Sequence, residues 1–312
     1  MPPTDDRPTF AREGREWPNR EASRFVAAGG LTWHVQEAGT GPVLLLVHGT
    51  GAATHSWRGL LPLLARDFRV IAPDLPGHGF TDPLPTPSLP RMARALGDLL
   101  RVLGAAPEVA VGHSAGAAIL ARLCLDGVVS PRLLVGLNAA LKPFPGMAGF
   151  IFPAMARALF LNPVTPRVFA WSADRAAVER LIHGTGSTLD RTGLDLYRRL
   201  FQTPGHVAGA LGMMAHWDLI PLDRELPRLK APLLLIVGGQ DRTIAPEVSF
   251  GLADRLGGRA RVELLRGLGH LAHEEKPEVV AELIRAGMAQ PGASAQAEPA
   301  TDFPACHPPG SR

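Results

Sequence analysis

Short, continuous apolar runs recur along the chain: Val43–Val47 (VLLLV), 69–72 (RVIA), 109–111, Leu133–Leu137 (LLVGL) and 233–237 (LLLIV), each bounded by Gly, Pro or Asp. Runs of this length without alternation suit strands buried on both faces of a parallel sheet. Between them lie helical patterns. Residues 89–103 place Met92, Leu96, Leu99, Leu100 and Leu103 on one face, residues 117–126 form a second apolar helix, and Pro246–Leu256 and 277–288 each open with a proline near the first turn. Strands alternating with helices predict a doubly wound α/β sheet. Ahead of this, residues 31–37 (LTWHVQE) alternate apolar and polar, the pattern of an antiparallel edge strand paired with 23–27, and a last strand is expected at Ala260–Leu265.

One interval breaks the alternation. The stretch between Asn138 and Leu233 is too long for a plain crossover and is rich in helix-compatible segments with proline breaks. It predicts a helical lid over residues 141–214, inserted into a core made of 21–140 and 215–289. Within the lid, residues 144–171 are unusually apolar, and three readings are open. A membrane-crossing helix is interrupted by Pro153, Arg157 and Pro163; the others are packing of the lid on the sheet, and an apolar roof over a pocket or a face that touches a membrane surface. Residues 1–20 and 290–312 lack hydrophobic period and are expected as flexible tails.

Composition narrows the function. The 32 Lys+Arg against 29 Asp+Glu give a net charge of only +3, without an Arg run dense enough for nucleic acid. The 34 Gly and 30 Pro follow no repeat and read as frequent turns. Cys124 lies in an apolar helix and Cys306 in a Pro-rich tail, so a structural disulfide is not expected and Cys124 reads as a small buried hydrophobe. No apolar segment of the secretory kind opens the chain, which predicts a cytoplasmic protein. There is no HExxH, CxxC, GxGxxG or Walker A pattern, so neither a metal nor a nucleotide cofactor is expected.

The sharpest feature is Gly112-His113-Ser114-Ala115-Gly116, between a buried strand and a helix. G-x-S-x-G at such a turn is a nucleophile elbow: small flanking residues permit the strained bend that presents the serine hydroxyl. By itself the pentapeptide is a weak signal, and its placement gives it weight. A serine needs a base, and the base needs a carboxylate to fix its tautomer. Asp241 follows the run 233–237 and His270 follows Ala260–Leu265, and strand ends on the carboxyl edge of an open sheet converge on one crevice. Oxyanion donors are expected from the backbone N–H groups of Thr50, in His48-Gly49-Thr50-Gly51-Ala52, and of Ala115 at a helix start. Gly49, Gly51, His113, Phe150 and Phe160 are candidate pocket residues. His48 and His113 are also candidates for holding loops, His273 is a rival base and Asp218 a rival acid. Asn138 ends a strand where an acid would be well placed, but an amide cannot stabilise an imidazolium.

The order Ser, Asp, His resembles that of the α/β-hydrolase superfamily, a resemblance spanning residues 21–289. Asp74-Leu75-Pro76-Gly77-His78-Gly79-Phe80-Thr81 is similar to that superfamily's D-x-x-G-x-G-x-S/T loop. Residues 17–39, 48–57, LPGHGFT, GHSAGAA and GLNAAL more narrowly resemble the magnesium-chelatase accessory proteins of bacteriochlorophyll synthesis. The resemblance implies a mostly parallel eight-stranded sheet flanked by helices and acyl chemistry on an ester, thioester or activated C–C bond. It also implies a hydrophobic substrate, a tetrapyrrole ester among the candidates, and magnesium chelatase as a candidate partner. Serine at the elbow and a single tyrosine, Tyr197, set aside the epoxide-opening members, which use an aspartate nucleophile and paired lid tyrosines. A non-catalytic pigment- or chelatase-binding accessory and an unrelated carboxylesterase or C–C hydrolase are the alternatives.

Overall fold

The computed structural model describes residues 6–143, 162 and 164–289. Eight strands form one sheet: β1 (Ser23–Ala28), β2 (Leu31–Ala38), β3 (Val43–Val47), β4 (Arg69–Pro73), β5 (Val109–His113), β6 (Leu133–Leu137), β7 (Leu233–Gly238) and β8 (Ala260–Leu265). Their order is β1-β2-β4-β3-β5-β6-β7-β8, with β1–β2 and β2–β4 antiparallel and every later pair parallel. Strands β5, β6 and β7 are buried along their whole length, which is why their sequences show no alternation.

Helices cover both faces. Leu45, Val47, Ala110 and Leu235 pack with α2 (Leu89–Val102) and α3 (Ala115–Leu125). Leu44, Leu46, Val111 and Ile236 pack on the other side with Leu60 and Leu64 of α1 (Leu60–Leu64) and with Val280 and Ile284 of a C-terminal helix, Pro277–Ala289.

Between β6 and β7, α4 (Thr165–Ser172), α5 (Arg175–Gly184), α6 (Arg191–Phe201) and α7 (Pro204–Ala215) occupy much of the interval expected as a lid. Asp174 and Asp190 cap α5 and α6 by accepting the N–H groups of Ala177 (2.7 Å) and Gly193 (2.8 Å). The buried stripe Leu196, Tyr197, Leu200 and Phe201 of α6 joins Val178 and Ile182 of α5 in a third apolar cluster. The candidate pocket residues Phe150 and Phe160, and the expected tail 290–312, lie outside the described residues. Then follow α8 (Ile220–Glu225), α9 (Pro246–Leu256), α10 (Ala272–Glu275) and α11, the C-terminal helix.

Two expectations are corrected. Strand β2 is the second strand rather than the edge, and residues 6–20 are packed rather than a free tail. The first follows from pairing, since β1 and β4 hydrogen-bond to the two sides of β2, and the second concerns the face of that same strand. The polar face of β2, which reads as solvent-facing in the sequence, is covered by the N-terminal segment. Gln36 Nε2 donates to the carbonyls of Pro18 (2.7 Å) and Asn19 (3.2 Å), Phe10 lies on His34 and Phe80, and the buried Trp17 donates through Nε1 to Thr54 Oγ1 at 2.9 Å. Phe10 and Trp17 are too few to make a visible period, yet they supply the contact.

Candidate active site

The turn from β5 into α3 is made by Ser114, at φ 49° and ψ −117°, a conformation that L-residues adopt at a cost. The bend is possible because its neighbours are small. A Cβ on Gly112 would lie 2.4 Å from Ala117 N, and one on Gly116 2.2 Å from Val47 O. The Ser114 N–H donates to Leu137 O (3.0 Å) and its carbonyl receives the Ala140 N–H (3.1 Å), so the elbow is tied to the end of β6. Ala115 opens α3, and its N–H belongs to the first turn that has no intrahelical acceptor.

Asp241 and His270 meet. His270 Nδ1 donates to Asp241 Oδ2 at 2.8 Å, with the carboxylate fully buried. The carboxylate is held on all sides: Oδ1 accepts from Thr243 N (2.7 Å) and Ile244 N (2.9 Å), and Oδ2 also accepts from Asn138 Nδ2 at 2.7 Å. With its Nδ1 proton committed to the acid, the imidazole keeps Nε2 for other chemistry. Thus three residues far apart in sequence sit at the ends of β5, β7 and β8, on one edge of the sheet.

The loop after β3 runs beside the elbow. A Cβ on Gly49 would lie 3.0 Å from Ser114 Cβ and 2.9 Å from His113 Nδ1, so Gly49 lets the backbone reach the serine. Thr50 follows it, half-buried, with its hydroxyl near Met213 Sδ at 3.5 Å. The loop is fixed from below. His48 donates through Nδ1 to Gly49 O (2.8 Å) and accepts the Leu75 N–H on Nε2 (2.9 Å), while Asp74 accepts the N–H groups of Thr54 and Phe80 and the Nδ1–H of His34. Burial alone would raise the Asp74 carboxyl; His34, His48 and the N–H donors outweigh it and hold the group well below its ordinary value. His206 of α7 clamps the same region, donating through Nε2 to Gly51 O (3.0 Å) and accepting the Gly79 N–H on Nδ1 (3.1 Å).

A family model described as the alpha/beta hydrolase family matches residues 44–283. The chain belongs to the α/β-hydrolase family. It is 43% identical over 273 residues to the magnesium-chelatase 30 kDa subunit of Rhodobacter capsulatus, covering 86% of this chain and 95% of that protein. It is 33% identical to the pimeloyl-[acyl-carrier protein] methyl ester esterase of Methylococcus capsulatus, covering 70% of this chain and 84% of the esterase. An α/β-hydrolase fold protein from Burkholderia ambifaria superposes with a TM-score of 0.71 at 24% identity, covering 84% of this chain and 97% of that one, and shows the shared fold.

Within this α/β-hydrolase frame the other candidates fall into place. His113 is buried, donates through Nε2 to His270 O (3.0 Å) and supports the histidine loop instead of offering a surface to a ligand. His273 is buried against His113 and Trp57, with ring centroids 4.4 and 4.7 Å away; burial pushes it down to about 3, so it is neutral. Asp218 accepts the Ile220 N–H at the start of α8. The tyrosine that the sequence singles out, Tyr197, donates to Glu274 Oε1 at 2.7 Å. Sequence reasoning undervalued Asn138: at φ 46° its amide bridges Asp241 Oδ2 and Gly269 O (3.3 Å), joining the acid loop to the histidine loop. Its place at a strand end, one strand from the elbow, is the signal that could have found it. Among the described residues no cluster of three metal-ligating side chains occurs, and no helix is long and apolar enough to cross a membrane.

Proposed function

We propose that this α/β-hydrolase is a serine hydrolase of an ester or related acyl bond. Ser114 Oγ attacks the carbonyl carbon while its proton passes to His270 Nε2, and Asp241 stabilises the imidazolium. The oxyanion accepts from the Thr50 and Ala115 N–H groups, the latter at the positive end of α3. His270 then protonates the departing alkoxide, and water, deprotonated by the same imidazole, releases the acyl group and restores Ser114. The observation that carries this reading is the buried His270–Asp241 pair together with a serine held in a strained strand-to-helix turn, whose neighbour His113 donates to the His270 carbonyl. Labelling by a fluorophosphonate tests it: the wild type reacts, and Ser114→Ala and His270→Ala do not. A folded wild type that takes no label overturns it.

The biological setting follows the likeness to the Rhodobacter capsulatus chelatase subunit, which extends over nearly the whole of that protein. We assign this chain to the cytoplasm as an accessory of magnesium chelatase in bacteriochlorophyll synthesis, acting on a hydrophobic, tetrapyrrole-type ester without a cofactor. The outer face of α4, with Val164, Val168 and Trp171 exposed, suits contact with a membrane surface. The same likeness favours a second reading, in which the chain binds a pigment precursor or the chelatase and turnover is incidental. Pigment formation in a phototrophic host separates them: Ser114→Ala abolishes it under the first reading and leaves it intact under the second. If pigment survives deletion of the whole gene, the chain is instead an unrelated carboxylesterase or C–C hydrolase.

A further inference from the structure

The sheet is not the only support of His270; the insertion reaches it too. Between α5 and α6 the chain turns back over the carboxyl edge, and the carbonyl of Thr185 accepts two main-chain N–H groups, one from Arg242 (3.1 Å), next to Asp241, and one from His270 itself (3.3 Å). Two residues on, the buried Ser187 accepts the Leu271 N–H on Oγ at 2.8 Å. Glu275 closes the arrangement, taking the Gly269 N–H on Oε1 (2.9 Å) and the Thr188 N–H on Oε2 (3.3 Å). Three successive N–H groups, those of Gly269, His270 and Leu271, therefore each have their own acceptor. The backbones touch: a Cβ on Gly186 would lie 1.9 Å from Gln240 O, and one on Gly269 2.3 Å from the Gly186 carbonyl carbon.

These contacts do not touch the reacting atoms, but they fix the main chain from which the imidazole projects. The direction of a side chain follows its backbone, and a displacement of about 1 Å in a catalytic group can cost on the order of a hundredfold in rate. We propose that Ser187 and Glu275 are positioning residues for His270, and that the loop 185–188 sets the His270–Asp241 geometry from the insertion side. As a statement about turnover this rests on the serine-hydrolase reading; as a statement about the histidine loop it stands on the hydrogen bonds alone. The insertion would then act as a strut of the site in its second half, whatever its first half does.

The test uses the purified full chain, a fluorophosphonate probe, and the variants Ser187→Ala, Glu275→Ala and Glu275→Gln. We expect Ser187→Ala and Glu275→Ala to lower the maximal inactivation rate by about tenfold or more, with the half-saturating probe concentration unchanged and the fold retained. Glu275→Gln, which keeps an acceptor oxygen for Gly269 and loses the one taken by Thr188, recovers part of that rate. Hydrogen–deuterium exchange of the peptide containing 269–271 should quicken in both alanine variants. Folded alanine variants that react at the wild-type rate overturn the proposal, as does a Glu275→Gln that falls as far as Glu275→Ala. Should the wild type itself fail to react, the serine-hydrolase reading is what fails. The strut is then decided by exchange, and unchanged protection at 269–271 overturns it.

Discussion

Glu274 is the buried acid with the largest predictable consequence for stability. It lies in α10, receives the Tyr197 hydroxyl on Oε1, and leaves Oε2 buried without a partner. Burial pushes its carboxyl up to about 8, against 4.5 for an ordinary glutamate; the nearby Asp190 and Glu275 add to the rise, and Tyr197 and Arg58 oppose it. The folded protein therefore keeps this proton up to about pH 8, whereas the unfolded chain releases it near 4.5. Stability from this group is fully present below pH 4.5 and is lost as the pH rises through 8. At about 1.4 kcal/mol for each tenfold change in proton affinity, the loss is about 3 kcal/mol at pH 7 and about 5 kcal/mol above pH 8. Glu274→Gln has the shape of the protonated acid, keeps an acceptor for Tyr197 and cannot ionise. Urea unfolding of both proteins at half-unit intervals from pH 5 to 9 gives a difference in which other titrations cancel. It should be small at pH 5 and grow in favour of the glutamine variant with rising pH. A difference that stays constant over this range, or a variant less stable at pH 8, would refute the reasoning.

The acid side should be equally sensitive. Six imidazoles, those of His48, His55, His78, His113, His206 and His273, are held below their ordinary value of 6.5 by burial, His206 at about 4. Because their folded values are depressed, the stability they carry is present above pH 6.5 and lost as the pH falls towards 4; urea midpoints should drop steeply there, and less steeply in His206→Gln. Ser114→Gly should abolish fluorophosphonate labelling yet raise stability by about 1–3 kcal/mol in a urea titration, because glycine adopts φ 49° without strain. Asn138→Gly keeps the backbone conformation while removing the amide from Asp241, and should cost about 1.5–3 kcal/mol and slow labelling. Burial pushes the Cys124 thiol up to about 12, so iodoacetamide at pH 8 should modify it only after unfolding.

The eight strands were legible because the central ones are buried on both faces and so carry unbroken apolar runs. Ser114 and Asp241 were legible because each follows such a run, whereas His270 follows β8, which carries Arg261 and Glu263 and is only partly buried, and is marked by its place after the last strand. What escaped the sequence was held by the backbone or by isolated residues. The loop 185–188 works mainly through a carbonyl, main-chain N–H groups and one serine hydroxyl, which leave no pattern in residue types. Residues 6–20 dock through Phe10 and Trp17 and cover the polar face of β2, while β2 is interior because β4 pairs with it on the side away from β1. Asn138 was dismissed for what an amide cannot do, when its use lies in what it donates. His113 reads in the sequence both as a holder of loops and as a pocket residue, and its bond to the His270 carbonyl agrees with the first.

Ser114 and Asn138 make a pair of left-handed bends at the tips of adjacent strands, and the second places its side chain within 2.7 Å of the buried carboxylate. Two positions, carried by different strands, therefore address one small volume beside the imidazole. With an amide at 138 that volume holds a single negative charge, on the β7 loop; a carboxyl at 138 would lie against the Asp241 carboxylate, and the two would have to share a proton.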